Sequence, residues 1–223
     1  MKRYFTFLAM MFFVNETFAQ VDQGQARTTD PSVIAPAATA ESCVRATQKL
    51  GDNVIKENYL YALEKMYPRY RKRQSVKHGE QKFNELVLNM SKTLNKMGVT
   101  ITSFKAQRPI GFFKVWRQIK PAAKLKIKRG EQKDVIAGDV FHNWLMIVPT
   151  TQVWTFTSNK GGPPRRLKRE GFQVAVAQET AVSGQEKWTF IDGGTLTPQE
   201  LRAIFPSLPQ TLVLPKREDK EIK

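Results

Sequence analysis

The hydrophobic period of this 223-residue chain changes near residue 98, from a helical repeat to a repeat of two, and few architectures accommodate such a switch. Before it, Cys43, Ala46, Leu50, Val54, Leu60, Leu63 and Met66 recur at intervals of three, four and occasionally six, as one face of an amphipathic helix does. Gly51-Asp52 is the point at which that helix would divide in two, and Pro68 is read as its end. A second helix carries Phe83, Leu86, Val87, Met90, Leu94 and Met97 on one stripe, with Gly98 placed to supply a left-handed stop. Stripes of this kind are core.

After residue 98, Ala123, Leu125 and Ile127 alternate with Lys124, Lys126 and Lys128, the pattern of a half-buried strand. Residues 135–148 are almost continuously apolar, interrupted by Asp139, His142 and Asn143, and residues 153–156 prolong the run beyond Pro149. This predicts a long or bent strand buried on both faces. A Gly-Gly-Pro-Pro turn follows at 161–164, then strands at 172–177 and 188–191. Helices first and an antiparallel sheet after them define the α+β class, with helices packed on a sheet face.

The last strand runs into Gly193-Gly194 and a short helix. Thr197 is its cap, Pro198 takes the first helical position, and Glu200 completes a capping box before Leu201, Ile204 and Phe205 dock. The glycines lack the spacing and the Lys-Ser/Thr of a phosphate loop, so a strand-to-helix turn is the reading.

At the N-terminus, Lys2 and Arg3 precede an apolar run over residues 5–14, and Thr17-Phe18-Ala19 resembles a cleavage site, so residues 1–19 are expected to be an export signal and the protein periplasmic or secreted. The run is too short to span a bilayer, and no integral membrane segment is expected after cleavage. Residues 20–40, rich in Ala, Thr, Gln and Pro, read as a flexible leader. Residues 41–215 form a single domain, and the charged tail 216–223 is expected to fray. Cys43, the one cysteine, forbids an internal disulfide and is expected to be buried.

Several segments are familiar in this order: Ala62-Leu63-Glu64-Lys65-Met66-Tyr67-Pro68, Ile147-Val148-Pro149-Thr150, Trp188-Thr189-Phe190-Ile191-Asp192-Gly193 and Leu208-Pro209-Gln210-Thr211-Leu212-Val213-Leu214-Pro215. Residues 41–215 resemble exported bacterial proteins of the nuclear transport factor two-like superfamily. That resemblance implies a curved antiparallel sheet wrapped around helices into a cone, whose apolar cavity is an active site in some members and a partner or ligand site in others. Enzymatic members include ketosteroid isomerases and scytalone dehydratases, and neither catalytic pattern maps on to this chain.

The acid-base candidates are His78, His142, Asp139 and Asp192. His142 shares a strand face with Val140, Trp144 and Met146, so its imidazole could enter the cavity with Asp139 nearby in sequence, although an undistorted strand puts those two on opposite faces. A core histidine is the plainer account of His142, and a solvated one, in a basic loop over 74–79, of His78. Two histidines and one cysteine offer no zinc spacing, and no acidic loop resembles a calcium site; neither metal nor cofactor is expected.

Charge is the strongest functional signal. The formal net charge is +16, and loss of Lys2, Arg3 and Glu16 with the signal lowers it by one. The excess sits in three acid-free segments. Residues 69–77 hold Arg69, Arg71, Lys72, Arg73 and Lys77; residues 114–129 hold Lys114, Arg117, Lys120, Lys124, Lys126, Lys128 and Arg129; residues 160–169 hold Lys160, Arg165, Arg166, Lys168 and Arg169. Such runs are either solvated faces or a polyanion site, to which Tyr67, Tyr70 and Trp116 could add stacking surface. The expectation is an exported, non-enzymatic binding or scaffolding protein for an anionic envelope component. The alternative is a binder of a small apolar ligand, or an isomerase- or dehydratase-like enzyme, using the cone. Oligomeric state is not legible.

Overall fold

A six-stranded antiparallel sheet curls as a half-barrel against the N-terminal helices in the computed structural model, which describes residues 34–118, 140–157, 162–178 and 187–222. The helices α1 (Ala37–Ile55), α2 (Tyr59–Glu64), α3 (Pro68–His78), α4 (Glu80–Leu88) and α5 (Met90–Lys96) come first. Strands β1 (Val99–Ala106), β2 (Gly111–Gln118), β3 (Val140–Phe156), β4 (Arg165–Gln178) and β5 (Lys187–Asp192) follow, then α6 (Pro198–Ile204) and β6 (Glu218–Ile222). The α+β class read from the period switch is the class of the fold.

The helix boundaries depart from the periodicity for local reasons. α1 begins at Ala37, inside the stretch read as leader, and Ala35 before it is already buried. It runs straight through Gly51, where a side chain is excluded because an added Cβ would lie 1.9 Å from the Phe104 ring of β1. The break falls instead at Glu57, with φ of 58°, and Asn58, whose side chain accepts from the Tyr61 N–H at 3.3 Å and starts α2. Pro68 opens α3 rather than closing its predecessor, since a first-turn residue has no use for an N–H. The second amphipathic stretch divides at Asn89 into α4 and α5, and Gly98 takes the left-handed stop at φ 64°.

β3 is the spine of the sheet. β1 pairs with its residues 150–156 and β2 with residues 140–147 on one edge, while β4 runs along the other. Pro149 falls where β1 gives way to β2, so its missing N–H interrupts neither ladder, and its carbonyl accepts from Gln107 N–H at 2.9 Å. The Gln48 side chain closes the outer edge of β1 as a backbone would, donating to Phe104 O at 3.0 Å and accepting from Ala106 N–H at 2.9 Å.

Alternation sorts β3, β4 and β5 into two buried faces. Leu145, Ile147, Val174, Val176 and Ile191 pack with Leu201, Ile204 and Phe205 from α6 and the chain after it. Met146, Val148, Ala175, Ala177, Trp188 and Phe190 pack with Cys43 and Leu50 of α1. The short C-terminal helix therefore covers the face opposite α1. At the far end, Trp154, Val99 and Ile101 meet Tyr59 and Leu94.

One sequence reading falls differently, and two lie where the structure describes nothing. The tail expected to fray contains β6, which pairs with residues 166–170 of β4. The lysine-alternating segment 123–128 and Asp139 lie outside the described residues. No described helix is long and apolar enough to cross a membrane.

Candidate functional site

The first basic segment, expected to end in a loop, is helical throughout. Its anchor is the strand-like pairing of residues 65–67 with β5: Tyr67 N–H donates to Phe190 O and Phe190 N–H to Lys65 O, each at 2.8 Å. Tyr67 is only 2 % exposed, its ring against Phe205 at a centroid distance of 5.1 Å, so it is a foundation and offers no stacking surface. Tyr70 is half-buried beside the same core, and the side chain of Trp116 lies outside the described residues.

From this foundation α3 projects Arg69, Arg71, Lys72, Arg73 and Lys77 on a helix with no buried residue and no acid. Arg69 Nη1 donates to Ile204 O at 3.2 Å, placing a guanidinium at the negative C-terminal end of α6. Arg71 Nη2 donates to Asn84 Oδ1 at 3.3 Å and ties α3 to α4. Lys72 and Lys77 are exposed and make no ion pair among the described residues. Burial, with Lys77 and Lys82 alongside, pushes the His78 pKa down and favours its neutral imidazole.

The third basic segment is largely neutralised. Arg165 forks on to Glu221, with Nε to Oε1 at 2.8 Å and Nη2 to Oε2 at 2.9 Å. Lys168 pairs with Glu170 in the same strand. Arg169 is 8 % exposed, its guanidinium carbon 3.9 Å from the Trp154 ring centroid while Nε and Nη2 donate to Asp219. These residues were expected to face a polyanion; burial and the acids of β6 withdraw Arg169 above all, and leave Arg166 exposed.

In the middle segment Lys114 is exposed on β2, its Nζ 5.4 Å from the ring centroid of Trp144, its register partner on β3. Arg117 stands opposite Phe141 in the same pair of strands. Lys124, Lys126 and Lys128 lie outside the described residues. The three basic segments thus belong to α3, to β2 and the residues after it, and to the β4 edge.

His142 is in β3, opposite Trp116 of β2, and its pairing with Asp139 falls outside the described residues. Asp192 is better defined. It ends β5 opposite Gln173, whose Nε2 donates to its Oδ1 at 3.0 Å. Desolvation by the surrounding protein pushes its pKa up, an effect offset in part by hydrogen bonds from Gln173 and the Gly194 N–H and by the charges of Arg217 and Arg169. Burial, with Asp192 and Glu200 nearby, also raises the Tyr70 pKa, so Tyr70 remains a phenol. Asp192 thereby clamps the Gly193-Gly194 turn, a role its place at a strand end foreshadows. Among the described residues no group of three or more His, Cys, Asp or Glu could hold a metal ion.

No protein-family model, curated protein or solved structure matches this chain.

Proposed function

We propose that this is an exported, non-enzymatic binding or scaffolding protein of the nuclear transport factor two-like architecture, which engages an anionic component of the cell envelope through α3. The observation that carries the reading is that α3, an 11-residue helix, holds Arg69, Arg71, Lys72, Arg73 and Lys77 with no acid and no buried residue. Cations grouped on one rigid element raise the local potential more than the same charges scattered over loops. Phosphate or sulfate groups fit this chemistry, because each contact releases condensed counterions. Export rests on the basic and apolar pattern of residues 1–19.

A duplex DNA titration at several ionic strengths, with DNA as a generic polyanion, tests the reading. Lys72→Glu with Lys77→Glu should weaken binding and reduce the slope of log affinity on log salt by about 0.9 for each lost phosphate contact. Lys92→Glu with Lys96→Glu, exposed on α5, makes the same change in net charge and should lose less. Equal losses would mean a diffuse charge effect and overturn α3 as the site.

A further inference from the structure

The C-terminal strand lies at an exposed edge, with Ile222 its one half-buried residue. None of the five residues of β6 is buried. It is retained by its ladder to residues 166–170 and by two guanidinium forks, Arg165 on Glu221 and Arg169 on Asp219, with Arg217 Nη2 joining Asp219 at 3.3 Å. Alternation puts Arg165, Arg169, Asp219 and Glu221 on one face of the strand pair. On the other face Lys168 stands directly opposite Lys220, a like-charge pair that works against the ladder.

Receptor and occupant are therefore unequal. The β4 side is built in: Arg169 is buried against Trp154, and the strand continues into the core at residues 172–177. The β6 side has no buried apolar residue and two like-charge pairs, Lys168 with Lys220 and Glu170 with Glu218, and an element so held opens locally at low cost.

We propose that the β4 edge over residues 165–170 is a docking groove for an extended acidic peptide from a partner protein, and that the chain's own C-terminal strand is its displaceable occupant. Recognition is strand addition: main-chain hydrogen bonds supply the ladder, and Arg165 and Arg169 select acids at alternate positions, as Asp219 and Glu221 now provide. A partner with an acid where this chain has Lys220 would meet Lys168 favourably and outcompete the resident strand. This groove is separate from α3 and does not rest on the function proposed for that helix.

The test uses the full chain and a fluorescent peptide of residues 216–223 carrying Lys220→Glu, read by anisotropy. Asp219→Ala with Glu221→Ala loosens the resident strand and should tighten probe binding by at least about tenfold. Lys220→Glu in the chain exchanges the Lys168–Lys220 repulsion for an attraction, at the loss of the weaker pull between Lys220 and exposed Glu170, and should weaken probe binding about fivefold. Arg165→Ala with Arg169→Ala should abolish binding, whereas Lys72→Glu with Lys77→Glu should leave it unchanged. If the probe binds the Lys220→Glu chain as it binds the parent, or if a scrambled peptide of equal charge binds equally well, the groove is overturned. Binding that tracks the α3 variant would assign the peptide to the general basic surface and overturn it too. Dimer formation by the loosened chain without probe uptake would make a second copy the occupant and overturn the partner assignment.

Discussion

Arg169 and Asp219, fifty residues apart, stand opposite each other across β4 and β6, with Nε 2.8 Å from Oδ1 and Nη2 3.0 Å from Oδ2. Asp219→Ala removes the acceptor of a bidentate pair whose guanidinium is buried, and should cost about 1.5 to 3 kcal/mol in denaturant unfolding. Arg169→Lys should lose most of the same energy, because an ammonium can reproduce neither the fork nor the stacking on Trp154. Unchanged midpoints in both variants would show that β6 contributes nothing to the folded state.

Acid should release β6 before the rest of the sheet. Burial works to raise the Asp219 pKa, but the hydrogen bonds and charges of Arg169 and Arg217 outweigh it and hold the group below its ordinary 3.8. Its stabilising contribution is therefore complete above the unfolded value and is lost as pH falls through the lower folded value. The Lys168 hydrogen bond on Glu170 and the Arg165 hydrogen bond on Glu221 depress those groups in the same direction, more weakly felt because they are exposed. Asp192 has the opposite sign: with a raised pKa, its protonation as pH falls favours the folded state. Amide exchange should show residues 218–222 losing protection as pH falls below the ordinary 3.8 of a free aspartate while β5 keeps its own. Simultaneous loss in both strands would refute the order.

Gly51→Ala should destabilise although Ala favours helices. The new methyl would enter the Phe104 ring, and forcing α1 from β1 should cost about 1 to 3 kcal/mol by thermal unfolding. A rise in melting temperature would mean that the helix and β1 separate freely.

Thr197→Ala removes the cap of α6. Thr197 Oγ1 accepts from Glu200 N–H at 3.2 Å and Thr197 N–H donates to Glu200 Oε2 at 2.9 Å, so about 0.5 to 2 kcal/mol should be lost with polyanion binding unaffected. An altered DNA affinity would connect α6 to the α3 surface that it meets through Arg69.

Local chemistry made part of this protein legible from its sequence. The period switch identified helices before sheet, Gly98 carried its own stop, and Thr197-Pro198-Gln199-Glu200 specified a helix start that needs no distant partner. The positive charge of α3 was equally plain, but its helical state was not, because an arginine- and lysine-rich helix without an apolar stripe leaves no periodic trace. Pro68 and Gly51 were ambiguous: proline both ends and begins helices, and glycine both breaks a helix and admits a neighbour. Only the tertiary structure decided which role each takes, by pairing residues 65–67 with β5 and bringing Phe104 against α1. The same holds for the two charged runs near the C-terminus. Residues 165–169 and 218–222 each resemble solvated surface when read alone, and they become paired strands because alternate arginines of one meet alternate acids of the other across a gap that no local pattern reports.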